Sequence, residues 1–195
     1  KDEDFTSASI RSLALMPFVK GQQCSNISVK ESFFLDCPLS ALEFDPEAYT
    51  PDAAQKISSV CYNELAGRFG GILKQFESGV SLFDTMITVE KEATLRSLAQ
   101  KFGADMDADY VFVGVLDRYL DKKGTARAVD QPASVFFRMY LVNTSTGATV
   151  YEGFFEETQE ALLSNALKAP SFFKRGARWL SAEALSREGI KKIVE

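Results

Sequence analysis

A protein with no histidine has few places to begin chemistry, and this sequence of 195 residues has none. Without imidazole there is no Ser-His-Asp or Cys-His nucleophile, no His-ligated zinc, and no side chain whose ordinary charge changes near neutral pH. Carboxylate, arginine and lysine chemistry remains. The stretch DADYVFVGVLDRYLDKKG, residues 107–124, sets Asp117, Arg118 and Asp121 directly after the most apolar run of the chain. Arg118 and Arg138, on strands expected to be neighbours, form a candidate anion-binding pair whose two guanidiniums suit a carboxylate or phosphate. The competing reading gives each arginine an internal cross-strand partner, Asp117 or Glu152, on a solvated face, contributing under about 1 kcal/mol. On that energetic ground the solvated rim is the expected outcome.

The other polar clusters carry less. Asp105, Asp107 and Asp109 alternate as at the start of a calcium loop, but the glycine at the sixth loop position and the distal glutamate are missing, so a helix-to-strand turn is expected. Glu156, Glu157 and Glu160 have no nucleophile beside them and read as a solvated strand end. Neither G-x-G-x-x-G nor G-x-x-x-x-G-K-[ST] occurs. The expectation is therefore no catalytic residue, no metal and no cofactor. The strongest binding candidate is SFFKRGARWL, where Phe172, Phe173 and Trp179 lie among Lys174, Arg175 and Arg178. That mixture anchors partner surfaces or an anionic membrane interface. It equally describes a terminal lid whose aromatics complete a core.

The elements that would position these residues follow from periodicity. Residues 1–9 are polar and read as a flexible lead-in; IRSLALMPF, stopped by Pro17, reads as a buried first strand. Residues 19–49 lack a clear period and read as a long excursion with a short strand at ISVKESFF; a loop that long has a function or a staple. TPDAAQKISSVCYNELAGRFGG predicts a helix capped by Thr50, with Ile57, Val60, Cys61, Leu65 and Phe69 on its apolar stripe. VEKEATLRSLAQKFG predicts a second helix, stopped by Gly103. DYVFVGVLDRYL, Asp109 to Leu120, predicts a strand that is apolar on both faces for its first half, as when covered on two sides. PASVFFRMYLVNT and ATVYEGFFEE, joined by STG, predict a hairpin in which Val135, Phe137, Met139 and Leu141 share one side. The tail, 161–195, reads as a helical extension ending in a helix from Ser181, which Gly189 weakens. The fold class expected is a single α/β (α+β) domain over 10–195, with its core in 10–160 and helices packed on a mixed sheet.

Composition sets the compartment and class. The hydrophobic fraction of 46% and charged fraction of 25% are those of an ordinary globular domain, and a net charge of −5 argues against a nucleic-acid partner. No run reaches the ~20 apolar residues of a membrane-spanning helix. The first residue is Lys1 rather than methionine, so either a removed export signal or an artificial start precedes it. Cys61 falls on an apolar helical stripe and is expected to be a buried thiol. Cys24 and Cys37 flank a loop and form the candidate disulfide of an oxidising compartment, with Cys37–Cys61 as the competing pair.

SLALMPF as an opening strand, the capped helix, FGADMDADYVFVGVLDRY, and a hairpin FRMYLVNTSTGATVYEGFFEE together resemble a group of bacterial envelope proteins. These are the TolB amino-terminal domain, the LpoB-type activators of penicillin-binding proteins and the CsgG-type secretion lipoproteins. The resemblance covers about residues 10–160 and rests on strand and turn patterns. It implies an anticodon-binding-like domain exported to the periplasm, anchored to the outer membrane through a lipid on a preceding segment, that acts by contacting other envelope proteins. A subunit of an outer-membrane secretion or assembly complex is the alternative it implies. An uncharacterised carboxylate-dependent enzyme is the alternative left by the acidic clusters. The excursion between the cysteines and the tail depart from the group's pattern.

Overall fold

The computed structural model describes residues 10–25, 31–124, 129–159 and 179–195. Its centre is one sheet. Strand β1 (Leu13–Leu15) and strand β2 (Val19–Lys20) follow each other along one side of β5 (Tyr110–Leu120), both parallel to it. On its other side β5 pairs antiparallel with β8 (Ser134–Asn143), which pairs antiparallel with β9 (Thr149–Thr158). Two short ribbons stand apart: β3 (Gln23–Cys24) with β4 (Leu42–Glu43), and β6 (Lys123–Gly124) with β7 (Val129–Gln131). The parallel pairing of β1 with β5 requires a long crossover, which the intervening helices supply.

Among the described residues four helices cover the sheet: α1 (Ala53–Phe69), α2 (Phe76–Val89), α3 (Leu95–Asp105) and α4 (Ala182–Val194). The first part of strand β5, Val111 to Leu116, carries no polar side chain because both of its faces are covered. Phe112 and Leu116 join Val135, Phe137, Met139 and Leu141 of β8 beneath Ile57, Leu65, Leu185 and Ile190 of α1 and α4. Val111, Val113 and Val115 join Tyr140 and Val142 beneath Leu95, Leu98 and Phe102 of α3, with Phe83 of α2 and Phe34 and Leu35 of the excursion. The architecture is thus a mixed α/β fold, with a central sheet flanked by helices.

Several local expectations need correction. Thr50 does not cap α1; the helix starts at Ala53 behind Asp52, which takes the left-handed conformation at φ 58°, and the buried Thr50 hydroxyl has no partner among the described residues. Residues 31–34, the second half of the strand expected at ISVKESFF, lie instead in a 3-10 helix, Glu31–Asp36, that presents Phe34 and Leu35 to the core. Helix α2 lies in a segment to which periodicity assigned nothing. Gly103 does not stop α3 but sits inside it, where a Cβ would lie 2.3 Å from Thr144 Oγ1 and 2.7 Å from Val111 Cγ2. It is there for close packing against the sheet. Thr94 caps that helix by accepting from Ser97 N, and Ser181 caps α4 by accepting from Ala184 N. The lead-in 1–9, the ALLSNAL segment and most of the SFFKRGARWL stretch lie outside the described residues.

Candidate functional site

The polar end of β5 is built on a bulge. Leu116 faces Phe137 and Arg118 faces Phe136, so Asp117 is the extra residue. A bulge breaks the alternation of a strand and re-aims the side chains at it. Leu116 and Tyr119, three apart, both reach the α1–α4 core, while Asp117 and Arg118 meet partners on the opposite face. The rim expectation fails here: Asp117 is buried, 4% exposed.

Arg138 Nη1 donates to Asp117 Oδ1 at 2.6 Å, and its guanidinium carbon lies 4.7 Å from the ring centres of both Phe34 and Phe136. Two aromatic faces thus supply the surroundings that water would give an exposed cation. Arg118 donates to Ser134 Oγ at 2.6 Å and to Glu156 Oε1 at 3.0 Å. Each arginine therefore holds a carboxylate of its own chain, and an external anion at the pair has to displace Asp117 or Glu156. Asp117 Oδ2 is buried with no hydrogen-bond partner among the described residues. Burial raises the Asp117 carboxyl to about 7, against the lowering effect of Arg138 and then Arg118, with Glu156 adding a smaller upward push. The desolvation of the anion outweighs the ion pair.

The excursion between β2 and α1 runs along this face of the sheet, from the bulge towards the β8–β9 turn. A disulfide joins Cys24 and Cys37, whose Cα atoms are 6.0 Å apart; Cys61 is a free thiol buried in the core. Gln22 Nε2 donates to the Asp117 carbonyl oxygen at 2.8 Å, and Gln22 Oε1 accepts from Asp45 N at 2.8 Å. Asp36 receives both Nε and Nη2 of Arg96, at 2.6 and 3.0 Å, while Arg96 Nη1 donates to the Gly147 carbonyl at 2.6 Å. Tyr49 donates its hydroxyl to the Leu116 carbonyl at 2.9 Å, and Lys20 stands over the rings of Tyr49 and Phe44 at 5.0 and 5.6 Å.

The remaining candidates are dispersed. Asp107, at φ 51° in the helix-to-strand turn, pairs with Lys74, and Asp109 pairs with Arg11. Among the described residues no three His, Cys, Asp or Glu side chains converge to hold a metal ion. Asp121 accepts from Ala182 N at 3.0 Å and thereby secures the start of α4. Trp179 is half-buried, and its carbonyl accepts from Lys122 Nζ at 2.8 Å. Phe172, Phe173, Lys174, Arg175 and Arg178 lie outside the described residues. Sequence reasoning missed Phe34, Asp36 and Arg96. The apolar FFLD run between two cysteines was the available signal that the excursion has its own anchor in the core.

No family model matches the chain, and no curated protein matches it in sequence. Its fold is that of solved bacterial proteins. PelC from Paraburkholderia phytofirmans, solved as a dodecamer, aligns with a TM-score of 0.52 at 14% identity, over 94% of this chain and 85% of that one. The LpoB C-terminal domain from Salmonella enterica aligns at 0.42 and 16% identity, over 77% and 84%. A lipoprotein from Neisseria meningitidis aligns at 0.46 and 10% identity, over 85% and 97%. The likeness is one of fold, and it rests on PelC.

Proposed function

We propose that this chain is a non-catalytic binding or accessory module of the bacterial cell envelope, held in the periplasm and tethered to the outer membrane, that contacts other envelope proteins. The Cys24–Cys37 disulfide carries the reading. It closes the segment that buries Phe34 and covers Asp117, and such bridges persist in oxidising compartments. The chemistry of the polar end supports it as well, since Asp117, Glu156, Arg118 and Arg138 are spent on one another. Thiol trapping in intact cells tests the compartment: Cys24 and Cys37 are oxidised and Cys61 reduced, whereas a fully reduced chain in the cytosolic fraction refutes it. The partner-binding surface assigned to Phe172, Phe173, Lys174, Arg175, Arg178 and Trp179 is tested by capture from envelope extract. The wild type retains a partner that a Phe172→Ala/Trp179→Ala variant loses, and unchanged capture removes the tail from the site.

A second reading, a subunit of an outer-membrane assembly, draws on two observations. PelC, whose fold is shared, is a dodecamer. Strand β9 has no described neighbour beyond β8 and carries Phe154, 70% exposed. Unpaired edges and exposed aromatics favour association. Light scattering with and without detergent distinguishes the readings, because a strictly monomeric mass in both excludes the assembly.

A further inference from the structure

Beside the disulfide-closed excursion runs a hollow of about 450 Å³ between Leu39, Leu42 and Phe44 on one wall and Phe83 and Ile87 of α2 on the other. Its volume lies within the ~300–1,000 Å³ of small-molecule sites. A second hollow of about 390 Å³, between α1 and α2, adjoins it, with Phe18, Ala54 and Phe83 lining both. Together they form an elongated trough whose first part is mainly apolar and whose α1 wall in the second part carries Gln55, Ser58 and Ser59. Its floor is fixed: Phe18 N donates to Ser58 Oγ at 2.8 Å, and the Phe18 ring fills the space that Gly114 leaves empty. Phe44 and Ile87 remain 44% and 37% exposed at the mouth.

Charge gives the trough a direction. The chain has 27 acidic residues and a net charge of −5, yet no carboxylate lines the first hollow, and its two charged residues are Lys20 and Lys91. Glu92 accepts from the lining Ser40 hydroxyl at 3.1 Å. Asp84 stands on the second hollow, at the other end. Lys20 rests on the Phe44 and Tyr49 faces, an arrangement that leaves ammonium hydrogens for an acceptor. We infer that this trough binds a single-chain fatty acid, its carboxylate at Lys20 and Lys91 and its hydrocarbon tail running past Phe18 and Phe83 towards α1. The elongated shape selects a flexible chain over a compact ring system, and the two lysines select an anionic head.

The probe is sodium dodecanoate, compared by calorimetry and by amide NMR with dodecyltrimethylammonium and 1-dodecanol, all below aggregation. The expected result is saturable one-to-one binding of dodecanoate, about five-fold or more tighter than the cationic amphiphile, with shifts centred on Phe18, Leu42 and Ile87. A Lys20→Gln/Lys91→Gln variant loses that preference and keeps its affinity for the alcohol; Ala54→Phe, at a half-buried position of α1 that lines both hollows, blocks the junction and weakens all three ligands. The head-group comparison on the unaltered protein stands whether or not the variants fold. Equal affinity for the anionic and cationic amphiphiles, no saturable binding, or shifts centred elsewhere overturns the assignment. So does self-association that buries Phe44 and Ile87 in place of ligand, which makes the occupant a second copy.

Discussion

Replacing Asp117 by asparagine separates two views of a buried ion pair. If the Arg138 contact at 2.6 Å dominates, Asp117 is a stabilising carboxylate and its loss is costly at neutral pH. If desolvation dominates, as a carboxyl raised to about 7 implies, the anion is the less favourable form inside the fold. The unfolded chain releases this proton near 3.9, about three units lower, and each unit corresponds to about 1.4 kcal/mol. The folded state therefore binds more protons than the unfolded one between about pH 4 and 7. Its stability falls as pH rises through that window and is flat above it, by at most about 4 kcal/mol from this group. Other carboxylates titrate in the same range, so the informative quantity is the wild-type minus variant difference. Urea unfolding followed by the fluorescence of Trp179, the sole tryptophan, gives that difference at each pH. Asp117→Asn is expected to gain on the wild type from pH 4.5 to 7.5 by about 2–4 kcal/mol and to run parallel above. A constant difference across the range, or a variant that loses stability relative to the wild type as pH rises, refutes the dominance of burial.

Three further perturbations follow from packing. Reducing the Cys24–Cys37 bridge, or replacing both residues by serine, is expected to lower the unfolding free energy by about 3 kcal/mol, since the bridge closes a loop of 13 residues in separation; urea midpoints check it. Cys61, fully buried and with its thiol pushed up by burial, stays unreactive to a thiol reagent until the protein unfolds; labelling at native pH contradicts this placement. Gly103→Ala sets a methyl against Thr144 and Val111 and is expected to cost about 1–3 kcal/mol by chemical denaturation, more than the helical gain of alanine.

The parts legible from sequence were those with an uninterrupted period. The alternation from Ser134 to Tyr140 placed each side chain on its observed face, because regular pairing with β5 and β9 keeps the two-residue repeat. Asp117 was misplaced because a bulge is invisible to that repeat: one inserted residue moves it from a supposed rim into a site sealed by Phe34. Gly103 read as a stop signal because sequence cannot distinguish a glycine that ends a helix from one that lets a helix approach a strand. Helix α2 was missed for a related reason: of its 14 residues only Gly79, Phe83 and Met86 are buried, so its stripe is too sparse to define a period. The excursion was legible as a staple and not as a cover, since its contacts reach residues about 60 and 95 positions away.

The excursion links the buried ion pair at the bulge and the proposed trough. Phe34, which closes over Arg138, and Leu42 and Phe44, which wall the trough, belong to the one segment tied by Cys24–Cys37, by Asp36 to Arg96 and by Gln22 to the bulge. Loosening that segment admits water to Asp117 and widens the trough together, so the two properties are expected to move as one. In a Cys24→Ser/Cys37→Ser background the pH-dependent gain of Asp117→Asn shrinks towards zero, as the carboxyl returns to its ordinary range, and dodecanoate affinity falls. Arg96→Met, which leaves the bridge intact but frees Asp36, produces a smaller change of the same sign in both measurements. A background that abolishes the Asp117 difference while leaving dodecanoate binding intact shows instead that the trough wall stands on α2 and β2 alone, and that the excursion's task is to bury the bulge.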